Sequence, residues 1–181
     1  QAKYTLLDQN TFWLCEKPDS VGMVGWDAAL TRIATWVKLQ DKKTGQILMV
    51  VNTHFDHIGT EARRNSALLI IEKIKEIVGT SPAILTGDFN VSEDWDAYKT
   101  ITNNEFILKD AHKVAGKRTG VDFTYHNFGK IPAEKCEKID FIFVTPQIRV
   151  ISSYIPFSQL NDTLFLSDHN PEIVELEIEK S

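Results

Sequence analysis

Cysteine is scarce in this sequence: Cys15 and Cys136 are the only two among 181 residues, and neither has a CxxC partner. That excludes a disulfide framework and a cysteine-rich zinc site, and leaves both thiols as packing residues. Long apolar runs are missing too. Stretches such as Ile47 to Val51 and Ala67 to Ile71 fall far short of the roughly 18 residues that a membrane span needs, so no segment is expected to cross a bilayer. An excess of positive charge is also absent. Twenty Lys and Arg against 25 Asp and Glu leave a formal charge of −5 and a pI near 5.5. This balance argues against a protein that wraps nucleic acid with a broad basic face, while a small anionic substrate stays open. No internal repeat or low-complexity tract is visible, and with Gln1 in place of Met as the first residue no compartment can be read from the chain.

What is present is ordinary globular composition, 43% hydrophobic and 25% charged, in a length suited to one domain over residues 1–181. Alternation at Ile33, Thr35, Val37 and Leu39, then Asp41 to Gly45, then Ile47 to Val51, predicts a β-hairpin. Apolar positions from Ala67 to Val78 recur every three or four residues and are followed by Gly79, which predicts a helix over 61–78. Ala83 to Leu85 reads as a buried strand, and Ser92 as the cap of a short helix through Ile101. The polar stretch from Asn103 to Lys138 reads as loops with short elements. Strands are expected at 139–144, 150–155 and 173–178, the last with Glu175, Glu177 and Glu179 on one face. Helices among hairpins and a strand-helix-strand unit indicate α/β layers around a mixed sheet.

The chemistry gathers in four short polar groups next to apolar strands: Asn52-Thr53-His54, Gly87-Asp88-Phe89-Asn90, Ile139-Asp140 and Ser167-Asp168-His169-Asn170-Pro171. Each alone is weak, since Ser-Asp-His can be a turn or a cap. All four in this order and spacing resemble the endonuclease/exonuclease/phosphatase superfamily, which includes abasic-site endonucleases, pancreatic-type deoxyribonuclease, deadenylases, sphingomyelinases and inositol-polyphosphate 5-phosphatases. The resemblance implies a four-layer α/β/β/α sandwich of the DNase I type, with an active site at the sheets' edge. It also exposes a departure. The family carries an Asn and a metal-binding Glu ahead of the Asn-Thr-His group, and Asn10 and Glu16 lie too close together, and too near the hairpin, to serve. The chain is therefore expected to be the C-terminal two-thirds of such a domain.

Phosphoester hydrolysis needs a hard cation, an oriented water and a group that stabilises the leaving oxygen. Oxygen ligands suit Mg²⁺ or Mn²⁺. By resemblance, Asp168 supplies a metal carboxylate, with Asp88 and Asn90 near a water or second cation. Asp88 activates the nucleophilic water and Asn90 orients it. On an extended segment these two, being two residues apart, would point the same way. His169 would contact the scissile phosphate with Asp140 holding its ring, and His54 would stabilise the transition state or assist the leaving group. Arg63 reads as a phosphate grip or as part of a solvated helix face, and Thr124 and Tyr125 as cleft lining or as packing. Trp13, Trp26 and Trp36 read as core or rim, and His112 and His126 carry no motif.

The implied activity is that of a divalent-metal-dependent hydrolase of phosphate esters, phosphodiesterase or nuclease-like. A phosphomonoesterase on an inositol or lipid headgroup and a non-catalytic module that keeps the fold are the rivals. The implied partner is a phosphate ester, a class that admits nucleic acid, and a monomer is expected.

Overall fold

Period-two patterning of apolar residues builds the sheets, and three- to four-residue spacing builds the helix that covers them. The computed structural model describes residues 3–103, 108–161 and 164–178. Strand β1 (Tyr4–Trp13) has mostly exposed residues, so no apolar alternation announces it. It pairs antiparallel with β2 (Ile33–Asp41), and β2 with β3 (Ile47–His54) forms the expected hairpin. Helix α1 (Thr60–Val78) crosses to β4 (Ala83–Asp88), which runs parallel to β3.

Helix α2 (Asp96–Thr102) begins three residues later than a Ser92 cap requires. The Ser92 carbonyl instead accepts the Trp95 N–H in a turn, and extended Trp95 stands at the N-cap without a side-chain bond. The polar stretch then holds β5 (Lys109–Asp110), α3 (Ala111–Val114) and β6 (Lys117–Gly120). Strand β7 (Asp140–Val144), strand β8 (Ile148–Ile155), the short hairpin β9 (Gln159–Asn161) and β10 (Leu164–Phe165), and β11 (Ile173–Ile178) complete the order. The three late strands thus stand within two residues of their expected bounds, and Glu179 lies outside the described residues.

Six strands form one mixed sheet in the order β1-β2-β3-β4-β7-β5, and three form a second in the order β11-β8-β6. The faces of the large sheet bury different partners. Met49, Val51, Leu85, Phe141 and Phe143 pack with Ile70 and Ile74 of α1 and Tyr98 and Ile101 of α2. The Phe89 ring stands edge-on to Phe55 at 4.9 Å and to Phe143 at 5.2 Å. Each fully buried ring of this kind contributes about 2 kcal/mol of transfer free energy. On the opposite face Leu48, Val50, Ile84, Ile142 and Val144 meet Ile148, Val150, Val174 and Leu176 of the smaller sheet. Helices, large sheet and small sheet are therefore stacked as the α/β sandwich requires. Trp36 is buried in the helix-facing core, while Trp13 and Trp26 are half-buried.

The loop before β2 is fastened to the start of α1 by two carboxylates. Asp27 accepts the N–H groups of Glu61 and Ala62 at 3.2 and 2.7 Å, capping α1 from more than thirty residues away. Gly59 permits this, because a Cβ there would stand 2.5 Å from Asp27 Oδ1. Asp56 is buried and accepts four N–H bonds, from Ala29, Leu30, Ile58 and Gly59. Burial alone would raise its carboxyl, but these donors outweigh it and hold the group down at about 2. A carboxyl depressed by folding stabilises the fold above the ordinary carboxylate range, and that contribution is lost as pH falls through the folded value. Asp56→Ala is therefore expected to destabilise the protein by about 2 kcal/mol or more at neutral pH in urea unfolding, and the deficit relative to wild type should shrink as pH falls from about 4 toward 2.

Candidate active site

The register of three adjacent strands makes the site. On the face of the large sheet turned away from α1, every second residue of β3, β4 and β7 forms a lateral row. Val50, Ile84 and Val144 pair across the first row, Asn52, Thr86 and Ile142 across the next, and His54, Asp88 and Asp140 across the last. The face passes from apolar to ionisable within one sheet. Gly87 keeps the parallel pair close enough for this, since a Cβ there would lie 2.2 Å from the Thr53 carbonyl oxygen.

His169 arrives from the segment before β11 and closes the row from the other side. Its Nδ1 lies 2.7 Å from Asp140 Oδ2, so the ring N–H on that nitrogen donates to the carboxylate and Nε2 faces Asp88 Oδ2 at 4.0 Å. His54 Nε2 lies 3.3 Å from the same Asp88 oxygen. The Asp140 hydrogen bond raises the affinity of His169 for its proton. Burial, then the neighbouring Asp140 charge, raises the Asp88 carboxyl. Partial desolvation and the Arg32 guanidinium lower His54 against the pull of Asp88. The Tyr125 ring lies 4.9 Å from the His169 ring, and the Asn170 side chain pins the segment to Ser158 N–H and the Phe123 carbonyl. The cleft in front of these groups has a volume of about 750 Å³ and reaches from Asn52 and Thr86 to Leu166 and Glu172.

Three expected contributors behave differently. Arg63 is 3% exposed and lies outside this cleft. Its Nη1 donates to the Asp56 carbonyl and its guanidinium stacks 4.9 Å from the centre of the Trp95 ring, so packing has claimed it. Thr124 is fully buried, and its hydroxyl accepts the N–H groups of Ile139 and Asp140; it sets the start of β7 and does not line the cleft. The same-side arrangement of Asp88 and Asn90 fails because the chain leaves the strand at Asp88 and Asn90 takes φ +50°. Asn90 donates its backbone N–H to Asp88 Oδ1 and its amide to the Phe55 carbonyl. Asp168 precedes His169 as expected, with Ser167 Oγ 3.3 Å from its Oδ1 and its carbonyl held by His126 and Asn127. Asn10 and Glu16 stay local, bonded to Thr11 and Trp26. Sequence reasoning missed Glu172 on the cleft wall and Lys138 behind it. No motif or strand period marked them, since Lys138 lies two residues before β7 and Glu172 one residue before β11.

Among the described residues, Asp88, Asp140 and His169 are the only group of three or more His, Cys, Asp or Glu side chains whose ligand atoms lie within 4.8 Å of one another. Two carboxylates beside an imidazole fit a divalent cation, and two acids this close are eased by positive charge between them.

The profile of the Endonuclease/Exonuclease/phosphatase family matches residues 7–169. The chain belongs to this family. The endonuclease/exonuclease/phosphatase from Bacteroides vulgatus is 65% identical and superposes with a TM-score of 0.93 over 98% of this chain and 67% of its own. A mannosyl-6-phosphatase of Bacteroides thetaiotaomicron is 35% identical, with a TM-score of 0.87 over 97% of this chain and 68% of its own. Human Nocturnin, at 16% identity and a TM-score of 0.73 over 97% of this chain and 60% of its own, shares the fold. An uncharacterized protein of Acanthamoeba polyphaga mimivirus is 30% identical over 91% of this chain and 63% of its own length. This chain thus spans a little under two thirds of that viral relative. Family members are phosphoesterase and nuclease hydrolases, generally dependent on a divalent metal.

Two outcomes check this geometry. Gly87→Ala should push β3 from β4 and lower stability by about 2 kcal/mol or more, because the clash is with backbone; an unchanged melting temperature would show that the strands yield freely. Asp140→Asn should move the His169 titration, followed by NMR, to lower pH, since the carboxylate that favours the charged ring is gone.

Proposed function

We propose that this chain forms the hydrolytic part of a divalent-metal-dependent phosphoesterase acting on small phosphomonoesters. The lateral row His54, Asp88, Asp140, closed by His169, carries this reading. Asp88 is half-buried between two imidazoles and is the group placed to take a proton from an attacking water. Asn90 fixes that carboxylate through its N–H. His169, held charged by Asp140, presents Nε2 to a phosphate oxygen. His54, more exposed on the other side of Asp88, is placed to protonate the leaving oxygen. Asp88 and Asp140 would offer carboxylate oxygens to the cation, with Asp168 as the further carboxylate that family resemblance implies. Bound there, Mg²⁺ or Mn²⁺ would neutralise phosphate charge.

Two observations favour a small monoester over a polynucleotide. The described cleft lining contains no Lys or Arg, whereas contact with a run of phosphates calls for cations. The mannosyl-6-phosphatase at 35% identity points the same way. Purified protein is expected to release phosphate from mannose 6-phosphate and an aryl phosphate with Mg²⁺ or Mn²⁺, to stop on adding EDTA, and to leave a single-stranded oligonucleotide intact. His169→Ala should lower kcat by about 100-fold or more, as loss of a donor to the developing charge does. Oligonucleotide cleavage outpacing monoester hydrolysis would favour the nuclease reading. No turnover of any ester would favour a binding module.

A further inference from the structure

Behind the cleft wall lies a pair of opposite charges that the chemistry above does not use. Lys138 is 7% exposed, and its Nζ lies 3.0 Å from Glu172 Oε2, with side-chain exposures of 6% and 3%. The same Nζ donates to the Asp140 carbonyl at 3.0 Å and sits 3.8 Å from the centre of the Phe141 ring. Glu172 belongs to the segment that carries His169 into β11, and Lys138 belongs to the segment that carries Asp140 into β7. The pair therefore ties together the two chain segments whose side chains meet in the Asp140–His169 hydrogen bond.

A buried ion pair is a poor source of stability, because desolvating two charges offsets most of their attraction. Here an extended set of partners offsets part of the desolvation, and burial still raises the Glu172 carboxyl. Glu172 Oε1 accepts from Ser153 Oγ at 3.3 Å, and Ser153 Oγ lies 2.8 Å from His112 Nδ1. Asp110 Oδ1 lies 3.9 Å from Lys138 Nζ and accepts the His112 N–H, while Asp110 Oδ2 accepts from Tyr98. Replacing an ion pair by apolar side chains commonly leaves folding unharmed, so stability alone gives little reason for charges in this place. Geometry supplies one. Lys138 bonds a backbone carbonyl of the residue whose side chain orients His169, and an apolar side chain has no donor with which to do that.

We infer that Lys138 and Glu172 are positioning residues that set the Asp140–His169 bond, and hence the aim of His169 at substrate. This rests on the phosphoesterase reading for its effect on turnover but not for its effect on the bond. The bond is followed by proton NMR through the downfield His169 Nδ1–H resonance, assigned by its absence in His169→Ala. Turnover is followed on the phosphate ester that wild-type protein hydrolyses.

Lys138→Met should broaden or erase the resonance and lower kcat about tenfold or more with KM little changed, as loss of a residue supporting an active-site ligand does. Lys138→Arg, which keeps a charge and a donor, should recover most of both. Should Lys138→Met not fold because it strands Glu172, the doubly neutral Lys138→Met, Glu172→Leu protein decides. It strands no Glu172 charge, Asp110 keeps its bonds from the His112 N–H and the Tyr98 hydroxyl, and the variant should melt near wild type yet show the same two defects. An unchanged resonance in that variant, or a kcat within about twofold of wild type, overturns the proposal. If wild type hydrolyses no ester, the phosphoesterase reading fails by itself and the resonance still decides the positioning role.

Discussion

Everything at the candidate site depends on the lateral register of β3, β4 and β7. Because β3 and β4 run parallel and β7 runs against them, the last residue of each parallel strand meets the first residue of the antiparallel one. A slip of one residue would send His54, Asp88 or Asp140 to the helix-covered face. The helix-side core guards against it: Met49, Val51, Leu85, Phe141 and Phe143 are all nearly inaccessible to solvent and interdigitate with α1 and α2. The face that carries the candidate site is thus held in register by the packing of the face opposite.

Within the row, charge is arranged asymmetrically. Asp140 is committed to one imidazole through a short hydrogen bond, whereas Asp88 stands between two imidazoles at longer range. The first arrangement stabilises a proton on His169, and the second leaves a partly desolvated carboxylate with raised affinity for a proton of its own. Two acids on neighbouring strands therefore acquire different tasks from their surroundings. The polar chain behind β7 extends this order into the protein, through Lys138, Glu172 and Ser153 to His112. A histidine with no readable motif thereby joins the site at a distance.

The sequence disclosed the parts of this arrangement that sit at the ends of strands with strong patterning. His54, Asp88, Asp140 and His169 each adjoin an apolar run or a turn, and the order of their motifs, through the family resemblance, places them together. Arg63 lies on a helix whose period was plain, but period does not say whether a residue in the first turn faces solvent or turns inward, and here the Asp56 carbonyl and the Trp95 ring draw it in. Asn90 escaped because a single left-handed residue breaks strand parity. Strand β1 escaped because most of its residues are exposed. The segment from Asn103 to Lys138 holds elements of two to four residues, too short to write a period of either kind.

The way β7 begins has a consequence for how this fold changes through evolution. Asp140 opens its strand, and the Thr124 hydroxyl anchors it there by accepting two backbone N–H groups. Residues 125–137 between them thus form a loop closed at its base and largely exposed along its length. Insertions or deletions at the exposed tip of such a loop leave Asp140 in its place. No comparable latitude exists between Asp88 and Asn90, where one added residue would break the Asn90 N–H bond to the carboxylate. Length can therefore vary on one side of the candidate site without moving its ionisable groups, and on the other it cannot.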